Sequence, residues 1–178
     1  MNIFVLDPDP DPAIAASYHC DQHLHKMILE SAQMVSTALL LRNFKLPGIY
    51  KLAYPKHPCT KWAAESNHNI LWVCELAMEL ESIRQSVRNC DYHSSSDVIK
   101  LVYDFIRYEF PCAASTAHTP FIFAGPAIIS IRPGSIIDHY QQYYRRKHNN
   151  WLVDKGAGMT YKDRSVPSFM ADLIPPTT

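Results

Sequence analysis

The sequence predicts an all-α protein, a single compact domain built on two long helices with an extended N-terminal arm and an irregular C-terminal part. Three observations carry that expectation. Apolar residues keep a helical period over residues 12–42 and again over 60–88. Start signals stand in front of the periodic runs, and prolines punctuate the connections between them.

The arm comes first. Ile3 to Leu6 is a short apolar run, followed by Asp7-Pro8-Asp9-Pro10-Asp11-Pro12. Prolines at every second position keep this stretch extended and forbid a helix before Pro12, so residues 1–11 are expected to lie over the core. Asp11 as N-cap, with Pro12 at the first helical position, starts helix one. It is expected to run over 12–42, about 45 Å at 1.5 Å per residue. Leu24, Met27, Ile28, Ser31, Met34, Val35, Ala38 and Leu39 form its buried stripe. The Pro47-Gly48 turn closes it.

A loop carrying Tyr50, Tyr54, His57 and Pro58 leads to helix two, expected over 60–88 with Thr60 as its cap. Trp62 and Trp72 flank a polar cluster, Ser66-Asn67-His68-Asn69, placed to face helix one. Ser95 or Ser96 caps helix three, 96–109. Pro111, Pro120, Pro126 and Pro133 then interrupt a stretch read as irregular, with short strands at Phe121 to Phe123 and Ile128 to Ile131. Ser135 opens helix four, 136–148, and residues 149–178 read as a loose tail.

Composition limits the function classes. The chain has 178 residues, 47% hydrophobic and 19% charged, which suits one domain. It shows neither a run of about 18 apolar residues nor a secretory leader, so a soluble, cytoplasmic protein with no membrane partner is expected. Cys20, Cys59, Cys74, Cys90 and Cys112 are odd in number and lack any CxxC pair, which points to reduced thiols rather than a disulfide framework or a four-cysteine zinc site. The formal net charge is zero, so any basic surface for nucleic acid must be local.

Residues Tyr18 to Gln33 draw the chemistry together. On a helix, His19, His23, Lys26, Glu30 and Gln33 step by 4, 3, 4 and 3 and share one polar face. That face reads either as the lining of a site or as an interhelical hydrogen-bond network. A metal site would take His19 and His23 with Cys20, Glu30, His57 or His68. The HExxH context is missing and Lys26 would repel a dication, so no metal is assigned. Cys20 beside two imidazoles is the outline of a nucleophilic thiol, or else a small core residue. A third arrangement keeps the carboxylate of Glu30 among cations, working with an amine that forms an imine with a sugar C1′. Lys26 or the N-terminal amine supplies it; an α-amino group ordinarily titrates near 8, leaving a neutral fraction at pH 7.

The other concentration of charge is helix four. His139, Tyr140, Tyr143, Tyr144, Arg145, Arg146, Lys147 and His148 combine cations for phosphates with rings for bases. The same residues also suit a helix C-terminus that collects cations along its dipole.

At Asp21-Gln22-His23-Leu24, with Glu30 seven residues after the histidine, the sequence resembles the signature helix of the phage endonuclease V family, pyrimidine-dimer DNA glycosylases and abasic-site lyases. Related bacterial proteins carry a basic residue at the His23 position, Lys at Lys26, Glu at Glu30, and downstream a His-Pro like His57-Pro58 and a tryptophan like Trp62. The segment Tyr140 to Lys147 is similar in kind to the family's Tyr-rich DNA-contacting end. The match covers residues 18–33 well and 57–72 loosely.

The resemblance implies a glycosylase without a cofactor, acting on DNA or a nucleotide. The amine attacks C1′, the base leaves, and the imine permits strand cleavage by β-elimination. Glu30 would stabilise the sugar intermediate and move protons, while His23 would contact the backbone or the reacting sugar. Met1 or Asn2 would bring the nucleophile, and Lys26 would bind phosphate or replace that amine. His19, Gln22, Gln33, His57, His68, Tyr140, Tyr143, Tyr144, Arg145, Arg146 and Lys147 would bind substrate. Two arginines around the phage Glu are replaced here by Leu29 and Gln33, and zero net charge is poor for tracking along duplex DNA. These departures favour the glycosidic chemistry over duplex dimer repair, with a free nucleotide or a modified base as further substrates.

Overall fold

The computed structural model describes residues 1–110, 118–131 and 133–175. Among them every regular element is helical: α1 (Pro12–Ser17), α2 (Asp21–Leu41), α3 (Pro58–Glu65), α4 (Asn67–Arg88), α5 (Ser95–Glu109), α6 (Ala127–Ser130) and α7 (Ile136–Lys155), with a 3-10 turn at Ser168–Met170. The protein is all-α, as its periodicity predicts. No helix among the described residues is long and apolar enough to cross a membrane. Pro111 and Cys112 lie outside the described residues.

Helix α2 is the centre. It packs against α3, α4 and α5, while α1 lies on α4. Leu24, Met27, Ile28, Met34, Val35, Ala38 and Leu39 are all buried along it, which is the stripe read from the sequence.

The two long helices are each interrupted. Helix one breaks between Ser17 and Asp21 because the backbone donors there take distant partners. Cys20 N–H donates to the Tyr144 hydroxyl at 2.9 Å and Asp21 N–H to the Thr160 carbonyl at 2.9 Å. Cys20 is extended at φ −70°, ψ 162°. Tertiary bonds to α7 and to the tail therefore outweigh continuation of the helix.

Helix two begins earlier than expected and splits. His57, not Thr60, is the N-cap of α3, accepting from Cys59 N–H at 3.2 Å with Pro58 at the first position. Ser66 at φ −150°, ψ 160° ends α3 and caps α4 by accepting from Asn69 N–H at 3.1 Å. Asn69 is buried and staples the segment at Thr119, donating to Trp62 O (2.6 Å) and Thr119 Oγ1 (2.7 Å) and accepting from Thr119 N–H (2.9 Å).

The expected strands are absent: Phe121 to Phe123 is irregular and Ala127–Ser130 is a single helical turn. Ser135 caps α7 in a reciprocal box with Asp138. That helix runs past His148 to Lys155, where Gly156 at φ 66° stops it. The tail is anchored rather than loose. Arg164 pairs with Asp21 at 2.7 Å, Thr160 Oγ1 donates to the other Asp21 oxygen at 2.8 Å, and Met159 N–H donates to His148 Nδ1 at 3.1 Å. A Cβ on Gly158 would come within 2.5 Å of the His148 ring, so that approach needs glycine.

The arm is the surprise in the packing. It does not lie over the core; it is part of the core. Ile3, Phe4, Val5 and Leu6 are at most 3% exposed, burial that at roughly 1.5–3 kcal/mol per side chain amounts to about 6–12 kcal/mol. Phe4 touches His23 of α2 on one side and Tyr140, Tyr143 and Tyr144 of α7 on the other, so the arm fills the space between those helices. Its backbone is satisfied locally and by α7. Asn2 Oδ1 accepts from Ile3 N–H and Phe4 N–H, Asn2 Nδ2 donates to Ala124 O, and Gln141 Nε2 donates to Leu6 O. Phe4 holds φ 36°, a left-handed conformation that costs a bulky residue about 1–3 kcal/mol.

Candidate functional site

The arm ends at Glu30. The α-amino nitrogen of Met1 lies 2.9 Å from Glu30 Oε2, and Lys26, one turn earlier on α2, places Nζ 3.3 Å from Oε1. The Met1 side chain is 1% exposed, with Sδ accepting from Thr60 Oγ1 at 3.0 Å. Glu30 keeps 14% exposure and Lys26 61%, so the cluster is buried on the arm's side and open on the lysine's.

Two more groups respond to this centre. His57 has its pKa lowered by burial and by repulsion from the N-terminal amine, with Glu30 acting in opposition. Lys147, half-buried, is also lowered, first by desolvation and then by Lys26, with Glu30 again opposing. One carboxylate thus pairs with two amines, and Lys147 feels its charge without pairing with it. The surplus of positive charge suits an anionic ligand such as a phosphate.

Lys147 sits over three rings, with Nζ 5.9 Å from the centre of Phe4, 5.5 Å from Tyr143 and 5.3 Å from Trp151. Phe4 stacks on His23 at 5.0 Å, and Trp151 meets His23 edge-on at 5.4 Å.

Beneath the cluster lies a neutral imidazole pair. Tyr144 O–H accepts from Cys20 N–H and lies 2.7 Å from His23 Nδ1. One phenol oxygen thus ties the start of α2 to the His23 ring. Burial, aided by His19, Lys147, Lys26 and the terminal amine, holds His23 well below the usual imidazole range. His19 is wholly buried and lowered to about 4, its Nδ1 2.8 Å from Ala15 O and its Nε2 without a partner.

The sequence-derived candidates divide clearly. Met1, His23, Lys26, Glu30, His57, Tyr143 and Lys147 gather around the arm's end. Asn2 is adjacent but occupied with the backbone. His19 is not on the polar face of α2, since the helix break turns it into the interior. Gln22 faces the tail, donating to Gly158 O at 3.1 Å and Thr160 Oγ1 at 3.3 Å. Gln33 is half-buried, and His68, in the first turn of α4, has a buried Nε2 without a partner.

On α7, Tyr140 and Tyr144 are wholly buried, so neither ring faces a ligand. Tyr140 O–H donates to Ile122 O at 2.7 Å and accepts from Ala124 N–H at 3.2 Å. Arg145 is neutralised by a two-pronged pair with Asp172 at 2.5 and 2.7 Å. Arg146 is exposed beside a cleft of about 410 Å³ lined by Ile128, Ile129, Gln142, Asn149 and Asn150. A larger cleft, about 640 Å³, is lined by Tyr161, Asp163, Arg164 and Val166, and contains none of the amine–carboxylate residues. Chemistry rather than cleft size identifies the candidate site.

Sequence reasoning missed Phe4 and Trp151. Trp151 had a signal, four residues beyond Lys147 on the same helical face. Phe4 had none, because its contacts span most of the chain.

Among the described residues no three His, Cys, Asp or Glu side chains are grouped to hold a metal ion. Cys20, buried and raised in pKa by desolvation, is a core thiol. Fold and site together define an all-α protein in which a buried arm delivers an amine to a helix-borne carboxylate. Comparison with protein-family models, with curated proteins and with solved structures finds no match to this chain.

Proposed function

We propose that this protein is an N-glycosidase acting on DNA or a nucleotide through an amine–sugar imine. The observation that carries the reading is the 2.9 Å pairing of the Met1 amine with Glu30, held by an arm whose next five residues are buried. A structural ion pair needs no second amine; this carboxylate has Lys26 on its other oxygen and Lys147 nearby.

Glu30 takes a proton from the Met1 ammonium, freeing its lone pair to attack C1′. The C1′–N bond to the base breaks, and the base leaves with that electron pair and takes the proton back from Glu30, which is again a carboxylate. The nitrogen newly bonded to C1′ passes a proton to the ring oxygen as the C1′–O4′ bond breaks, leaving a protonated imine. Glu30 is then the base for a C2′ proton, and elimination expels the 3′ phosphate. Water hydrolyses the imine and restores the amine. Lys26, mostly exposed, is suited to a flanking phosphate. His23, kept neutral, adds no charge beside the sugar cation.

The test is borohydride trapping on oligonucleotides bearing an abasic site or a damaged pyrimidine, with mass mapping of the adduct. The expected adduct is on the α-amine, at Met1 or, in a chain without Met1, at Asn2. An adduct on Lys26 would keep the imine and change the nucleophile. No adduct on either substrate would sink the reading and leave Glu30 as the anchor of the arm.

A further inference from the structure

Tyr143, Lys147, Trp151 and Lys155 follow one another at intervals of four along α7 and share one face. Ring and cation alternate. Lys147 Nζ lies 5.5 Å from the Tyr143 ring centre and 5.3 Å from that of Trp151, and Lys155 Nζ lies 5.0 Å from Trp151. The first three side chains are half-buried and Lys155 is exposed. Among the described residues neither lysine has a carboxylate partner, whereas Arg145 on the same helix is neutralised by Asp172. The inner end of the face rests on Phe4 and senses the charges of Lys26 and Glu30. The outer end is at the last residue of the helix, and the two rings stand about 12 Å apart along the axis.

Aromatic faces interleaved with unpaired cations suit a strand whose bases are free to stack. Within a duplex each base face is covered by its neighbours, so a ring on a helix surface has nothing to stack on unless a base is extruded. The charge supply points the same way. Lys147, Lys155 and Lys26 offer three phosphate contacts, fewer than the roughly six to ten of strongly salt-dependent duplex binders, and the chain as a whole carries no net positive charge.

We propose that the Tyr143–Lys147–Trp151–Lys155 face is a platform for unpaired nucleic acid, stacking bases on its two rings and pairing phosphates with its lysines. The strand presented to Glu30 is then single-stranded. This inference rests on the glycosidase reading for its choice of nucleic acid as the ligand class.

The experiment measures anisotropy of a labelled twelve-nucleotide oligo-dT, and of a twelve-base-pair duplex, against the full-length Glu30→Gln protein over a salt series. The single strand binds at least about tenfold more tightly, with a log–log salt slope near −2, from three contacts at about 0.7 each. Trp151→Leu weakens binding by about 5- to 100-fold. Lys155→Gln, at an exposed position where the fold is not at stake, makes the slope shallower by about 0.7, while Lys100→Gln on α5 changes nothing. Equal or tighter binding to duplex, no binding to either nucleic acid, or an unchanged slope in Lys155→Gln overturns the platform. Strand binding without any borohydride adduct removes the glycosidase and keeps the platform. An adduct whose formation ignores Trp151 and Lys155 removes the platform and keeps the glycosidase.

Discussion

Acid should destabilise this fold through its buried imidazoles before its carboxylates titrate. His19 titrates at about 4 in the fold, against about 6.5 for an ordinary imidazole. Its folded pKa is depressed, so the unfolded chain binds more protons between those values. The stabilisation is complete above about pH 6.5 and is lost as pH falls toward 4. Between pH 7 and pH 5 linkage for this single group gives a loss of about 2 kcal/mol, equivalent to about 4–8 °C in melting temperature for a chain of this size. His23 adds in the same direction, since burial also holds it well below the ordinary imidazole range. The assay is urea unfolding at pH 7, 6 and 5 for the wild type and for His19→Asn, which keeps a donor for Ala15 O and cannot titrate. The variant should be less stable at pH 7 but flatter with pH, by about the 2 kcal/mol assigned to His19. Parallel curves for the two proteins would refute the placement of a neutral His19 in the core.

Three further outcomes follow from the contacts. Tyr144→Phe removes the oxygen that serves Cys20 N–H and His23 Nδ1 and should cost about 2–4 kcal/mol in denaturant unfolding, because two buried groups lose their partner. A loss below about 0.5 kcal/mol would mean that water or a shifted backbone replaces the phenol. Gly158→Ala drives a methyl into the His148 ring and should lose about 1–3 kcal/mol by overpacking, read as a lower melting temperature. Glu30→Gln should retain wild-type helicity by circular dichroism yet abolish base release; normal turnover in that variant would eliminate the carboxylate from the chemistry.

How much of this was legible in the sequence depended on the range of the determining contact. Ser95–Glu109 and the Asp11-Pro12 start are local patterns, and both appear within a residue of where periodicity and capping put them. The His57-Pro58 start of α3 and the Gly156 stop of α7 are also local signals, and they prevail over the competing boundaries at Thr60 and His148. The break at Tyr18 to Cys20 was not legible, because the groups that take its backbone donors, Tyr144 and Thr160, are more than 120 residues away. The same holds for the site. Glu30, Lys26 and His23 share a helix and were grouped by spacing alone. The N-terminal amine is offered beside Lys26 as the partner of Glu30 by the residue chemistry, and placed there by the family resemblance, but no local pattern shows the contact; the ring stack of Phe4 on His23 has no local signal at all.

The wedge of the first six residues between α2 and α7 also sets an order of assembly. During synthesis α2, α4 and α5 emerge early and can pack on one another, but the arm's other wall does not yet exist. Ala124, Tyr140, Gln141 and Tyr144, which close over Asn2, Phe4 and Leu6, are made more than 110 residues later. Contacts of such separation form slowly. The amine and its carboxylate are therefore among the last features to be fixed in a newly made chain, and a nascent protein released before α7 has the helix that bears Glu30 without the lock that holds the amine against it.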